Sequence, residues 1–125
     1  MVPAYPETIA MRRDFWTKLD GLIASSEIII DRPKGTKHPK YPDLIFPLDY
    51  GYMEGTTGGD GDGIDVWLGT AGHRHLTAIA STVDMKKRDA EIKLIIGCTE
   101  AEIAVIEDFH NGYYMSAIII SRESD

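Results

Sequence analysis

Residues 58–66 read GGDGDGIDV, and here a long irregular segment gives way to a series of short apolar runs. Upstream, residues 32–63 are rich in Gly, Pro, Asp and Thr and read as loop with short extended pieces. Downstream, IDVWLG (64–69), HLTAIASTVD (75–84) and EIKLIIGC (91–98) are bounded by turn signals and predict strands. Thr99 is a good N-cap for EAEIAVIEDFHNG, with Glu102 completing a capping box and Gly112 stopping the helix. YYMSAIII (113–120) then reads as a last strand. Ahead of the loop, residues 6–24 place Ile9, Phe15, Trp16, Leu19 and Ile23 at mostly helical spacing, with an end predicted between Asp20 and Ala24. EIIID (27–31) predicts a buried strand that Pro33 stops. The order of helix, about five strands, helix and strand predicts an α+β fold, mainly β. One domain over residues 1–125, a compact barrel or curled sheet with helices packed on it, is the expectation.

A net charge of −7 argues against general nucleic-acid or anionic-membrane binding and suits attraction of metal cations. Cys98 is the only cysteine, so no disulfide forms within the chain and a reducing compartment is expected. No basic stretch leads into an apolar one, and no apolar run approaches 18 residues, so the expectation is a soluble, cytoplasmic protein. The helix over residues 6–20 is amphipathic enough to pack on a neighbouring subunit, which leaves a homo-oligomer open.

Asp60, Asp62 and Asp65 crowd three carboxylates into six residues, and like charges that close repel unless water or a cation lies between them. Carboxylates suit hard cations such as Mg2+, and the glycines allow positive φ, so that short side chains converge. An EF-hand is excluded, because counting from Asp60 places Ile64 fifth and Ala71 twelfth, where oxygen ligands are needed. A calcium-binding β-roll needs tandem copies. A phosphohydrolase D-x-D follows a hydrophobic strand, whereas MEGTTGG precedes this one. The remaining rival is a polar turn whose Asp residues bond local backbone.

Two further segments favour metal over turn. VDMKKRDAEIK (83–93) places Asp84 and Asp89 at the end of one predicted strand and before the next, with Lys93 following. Carried to the same end of a barrel, they bring the carboxylates to five, enough for more than one divalent ion. DRPKGTKHPKYP (31–42) holds Arg32, Lys34, Lys37, Lys40 and His38. Residues 32–42 carry +4 in a chain of net −7, leaving −11 elsewhere. A concentrated basic loop in an acidic protein fits metal cations held beside an anion, and phosphate bridged to metal is the common case.

With these residues in hand, the chain resembles the soluble, family I inorganic pyrophosphatases. FPLDYGYMEGTTGGDGDGIDV (46–66) is similar to that family's Tyr-Pro, Asn/Asp-Tyr-Gly-Tyr and D-G-D-P-x-D-V signature, in order and at the familiar spacing. TVDMKKRDAEIK resembles its later Asp-containing loop, with Lys93 two residues beyond the usual lysine. IIIDRPKGTKHPKYP resembles its acid-x-Pro strand end and Lys-Tyr pair. The resemblance implies an OB-like five-stranded β-barrel with an N-terminal and a C-terminal helix. It implies Mg2+, with Mn2+ as the alternative, held by Asp60, Asp65, Asp84 and Asp89. Asp62 would be the general base, Tyr50 would support the Asp cluster, and Lys40 and Lys93 would contact phosphate. Asp31 would stand at the cavity edge. The implied activity is hydrolysis of pyrophosphate by a metal-activated water.

The departures are specific. Only Tyr41 to Ile45 separate Lys40 from Phe46, where the family has a hairpin bearing a phosphate-binding arginine. Pro42 replaces an acidic residue, Phe46 a tyrosine, and His110 with Asn111 a Tyr-Lys pair. Arg32, Lys34, Lys37 and His38 are the candidates to make up the phosphate side. Two other functions are therefore expected alternatives: a non-catalytic metal–phosphate binder, and a phosphohydrolase for another small phosphorylated substrate. His73 and His75 read as a surface pair, and Trp16, Trp67 and Cys98 as core.

Overall fold

The computed structural model describes residues 6–123 and shows an α+β fold, mainly β. In chain order it comprises α1 (Pro6–Ala24), β1 (Ile28–Arg32), β2 (Asp49–Met53), β3 (Ile64–Leu68), β4 (Leu76–Asp84), β5 (Asp89–Ile96), α2 (Glu100–Phe109) and β6 (Met115–Ser121). All six strands lie in one mixed sheet of order β1-β2-β3-β5-β4-β6. Only β3 and β5 run parallel. β1 and β6 are its two edges, so the sheet is open, in place of the closed five-stranded barrel that the resemblance implies, while the order of helix, five strands, helix and strand is as expected. β2, DYGYM, lies in the segment read as loop with short extended pieces. Gly51 and flanking Gly and Pro weaken its strand signal, and pairing with β1 and β3 on both sides supplies what local propensity does not.

The two helices cover opposite faces. α1 starts at Pro6, where a missing N–H costs nothing. It packs Trp16, Leu19 and Ile23 against Met53, Val66, Leu76, Ile79, Leu94 and Ile96. Ile9, Met11, Phe15 and Leu22 stay exposed, so the helix meets the sheet through a narrow stripe. α2 forms as the capping pattern predicts. Thr99 Oγ1 accepts from Glu102 N–H, and Glu102 Oε1 accepts from Thr99 N–H at 2.9 Å. The helix ends at Phe109 with His110 as C-cap, three residues before the predicted glycine stop. On this face Phe46, Leu48, Trp67, Ala78, Ala80, Ile95, Cys98 and Ile106 form the core. Each large side chain so buried contributes about 1.5–3 kcal/mol. Trp16, Trp67 and Cys98 are thus core, while His73 and His75 are exposed with rings 4.8 Å apart.

Candidate active site

Strand alternation delivers the site. On the α2 face β2 presents Tyr50 and Tyr52, and β3 presents Asp65 and Trp67. The register pairs Tyr50 with Trp67 and Tyr52 with Asp65. Val66 lies beside Leu94 in the parallel pair, which brings Asp65 next to Lys93. Along β5, Asp89, Glu91 and Lys93 follow at period two, and Asp89 faces Asp84 across the β4–β5 ladder. Beyond the end of α2 this face is no longer covered, and a cavity of about 580 Å3 opens there.

Lys93 is the hub of the floor. Its ammonium donates to Asp65 Oδ2 at 2.7 Å, Glu91 Oε1 at 2.6 Å and Tyr50 Oη at 2.8 Å, and only 4% of its side chain is exposed. Tyr50 Oη in turn donates to Asp65 Oδ2 at 2.7 Å. Burial disfavours the ammonium, but Tyr50, Asp65 and Glu91 outweigh it and hold Lys93 above its ordinary pKa. Burial likewise pushes Tyr50 up, so its hydroxyl stays a donor at neutral pH. Glu91 is raised by burial, which its bond to Lys93 only partly offsets.

The glycine loop adds Asp60 to this floor. A β carbon on Gly59 would lie 2.5 Å from Ala90 O and 3.2 Å from Glu91 Cβ, so only glycine lets the loop lie against β5 here. Gly61 takes a positive φ of 88°, and Asp62 N–H donates to Asp60 Oδ1 at 3.0 Å. Asp60, Asp65 and Glu91 consequently each bring one carboxylate oxygen within 4.8 Å of the others. This all-oxygen donor set suits Mg2+ or Mn2+.

The sequence-predicted residues divide cleanly. Asp60, Asp65, Asp84, Asp89, Tyr50, Lys40 and Lys93 line the cavity, as does Asp31. Asp62, Lys34 and Lys37 are exposed and are not among its lining residues. Lys34 N–H is tied to Asp49 Oδ1 at 2.9 Å, and Lys37 bridges Ile45 within the loop. Asp84 does turn duty as well, accepting the N–H groups of Lys86 and Lys87 at 2.9 and 3.0 Å. The residues missed by sequence reasoning are Glu91, Lys86 and Lys87. Glu91 carries a period-two signal between Asp89 and Lys93. The two lysines read as a solvated turn, and only the fold aims that turn inward.

Basic residues share the cavity with the carboxylates. Arg32, Lys40, Lys86 and Lys87 line the same cavity around His38. Burial lowers the pKa of His38, and the nearby charges of Lys87, Arg32 and Lys40 lower it further. His38 Nδ1 accepts from Lys40 and Tyr41 N–H at 3.1 and 3.3 Å. At the inner end His110 Nε2 accepts from Trp67 Nε1 at 2.9 Å, and its Nδ1 meets Met115 Sδ at 3.2 Å. That arrangement is met by a neutral ring. Burial, then the charge of Lys93, pushes the His110 pKa down to about 3.

No protein-family model, no curated protein and no solved structure matches this chain.

Proposed function

We propose that this protein is a Mg2+-dependent phosphoanhydride hydrolase of the inorganic pyrophosphatase kind, with pyrophosphate as substrate. The observation that carries this reading is the pairing of charges in one cavity. Asp60, Asp65, Glu91, Asp84 and Asp89 line it together with Arg32, Lys40, Lys86 and Lys87. A polyanion with bound cations is the ligand that satisfies both sets. The order β1-β2-β3-β5-β4 with its one parallel pair supports an OB-like barrel as the underlying plan, with β6 added at the free β4 edge.

Asp60, Asp65 and Glu91 would hold one ion, with Asp84 and Asp89 serving others. Mg2+ supplies charge neutralisation of phosphate oxygens and a lowered pKa for bound water. Tyr50 fixes the orientation of Asp65 through its hydroxyl, and Lys93 offsets part of the carboxylate charge from below. Arg32, Lys40, Lys86 and Lys87 bind phosphate oxygens and stabilise charge that develops on the leaving phosphate. By resemblance Asp62 accepts the proton of the attacking water. A cytoplasmic setting belongs to the same proposal. For the setting, the structure adds only that, among the described residues, no helix is long and apolar enough to cross a membrane.

Phosphate release from pyrophosphate at millimolar Mg2+, lost on chelation and in Asp65→Asn, is the expected result. No release above background sinks the hydrolytic reading. Calorimetry showing Mg2+-dependent pyrophosphate binding without turnover would then identify a non-catalytic binder.

A further inference from the structure

The cavity has a third side that pyrophosphate does not need. Starting at its mouth, Tyr113 stacks on Tyr41 with ring centroids 4.4 Å apart and planes 17° from parallel. Tyr41 meets His38 at 5.2 Å, His38 stacks on Phe46 at 5.8 Å, and Phe46 stacks on Tyr50 at 5.4 Å. All five line the cavity, so an unbroken row of rings runs from the solvent edge down to the tyrosine that supports Asp65.

The outer end of this row is not packed away. Tyr113 remains 63% exposed although Tyr41 covers one face of its ring, and its neighbour Tyr114 is 56% exposed with the Lys86 ammonium 5.7 Å from its centroid. Tyr113 also holds φ at 55°, a left-handed backbone that an aromatic residue adopts at a cost of about 1 kcal/mol or more. Burial of the ring does not explain that conformation. In it the ring lies on Tyr41 at the cavity mouth. The volume points the same way. About 580 Å3 lies within the roughly 300–1,000 Å3 typical of sites for larger organic ligands, and a carbon-free pyrophosphate fills a small part of it.

We propose that the cavity takes a phosphoanhydride whose ester group carries a planar ring system, as a nucleoside diphosphate does. Its phosphates would lie between the carboxylates and Lys86–Lys87, and its ring on the open face of Tyr113. The proposal rests on the phosphoanhydride reading of the same cavity and adds the group on the far side of the phosphates. In the corresponding hydrolysis, water oxygen bonds the terminal phosphorus as the bridging P–O bond breaks. The products are inorganic phosphate, the monophosphate ester and one proton.

The test compares ADP, methyl diphosphate and pyrophosphate, each with Mg2+, by calorimetric titration of the full-length protein, with phosphate release measured in parallel. Stacking on one aromatic ring gives ADP an advantage of roughly 5- to 100-fold over methyl diphosphate. Tyr113→Ala removes that advantage and leaves pyrophosphate binding unchanged, while Tyr113→Phe keeps it. Equal binding of ADP and methyl diphosphate overturns the proposal. So does a Tyr113→Ala variant that binds all three ligands as the wild type does. An intact ring advantage without phosphate release from any ligand supports the ring site and overturns hydrolysis alone.

Discussion

Lys93 Nζ lies 2.7 Å from Asp65 Oδ2, and the ammonium is buried where a divalent cation would share its carboxylate neighbours. Lys93→Met leaves Asp60, Asp65 and Glu91 without their internal counter-charge. Removing one partner of a buried pair costs about 3–5 kcal/mol. Urea denaturation should show a loss of that order without divalent ions, with part restored by Mg2+, since a ligand of the native state stabilises by mass action. A variant whose stability ignores Mg2+ would remove the cluster from consideration as a metal site.

Gly59→Ala tests the packing of the loop on β5. Its β carbon meets the backbone oxygen of Ala90 and must push the loop away, taking Asp60 from Glu91. Overpacking of this kind costs about 1–3 kcal/mol. Gly61→Ala meets nothing within 4 Å and is penalised only through its positive φ, by about 1 kcal/mol. Titration with Mn2+ should find affinity lost in the first variant and largely kept in the second. Equal losses would mean that close approach to β5 is not what assembles the cluster.

The resemblance makes Asp62 the base, whereas geometry groups Glu91 with the carboxylates that could hold a metal. Asp62→Asn is expected to lower kcat by about 10²–10⁴, the range for a lost general base, with Mg2+ affinity unchanged. Glu91→Gln is expected to weaken Mg2+ binding instead. An Asp62→Asn enzyme at wild-type rate would transfer proton acceptance to a carboxylate that faces the cavity.

His110 makes a pH prediction with a definite sign. Its folded pKa, about 3, lies below the ordinary 6.5, so between those values the unfolded chain binds the extra proton. The stabilisation is complete above pH 6.5 and is lost as pH falls through that window. At about 1.4 kcal/mol per unit it amounts to roughly 5 kcal/mol. Denaturation curves at pH 7 and pH 4 should differ more for wild type than for His110→Gln. Identical pH slopes would show that His110 is not held neutral by burial.

Much of the fold was legible because the signals were local. Thr99 and Glu102 form a capping box whose geometry depends on four residues, and runs such as LTAIASTVD are long enough for periodicity to decide. β2 was not legible because its stability comes from two neighbouring strands and its sequence contains Gly51. The same division holds in the site. Asp60, Asp65, Asp84 and Asp89 stood out by clustering along the chain, and the structure brings all four to one cavity. Lys86 and Lys87 did not, because a charged turn looks the same whether it points to solvent or to a cavity. Asp62 is the opposite case. It is close to the others in sequence, yet its backbone N–H donates to Asp60 Oδ1 and it is not among the lining residues.

The β4–β5 hairpin carries Asp84 and Asp89 at its base and Lys86 with Lys87 at its tip, only a few residues apart. These opposite charges are also joined through the backbone, because Asp84 Oδ1 accepts from the N–H groups of Lys86 and Lys87. A shift of this hairpin therefore acts as a gauge that moves as a whole. It would change where a polyanion sits without changing the length of polyanion that fits between its acids and its lysines.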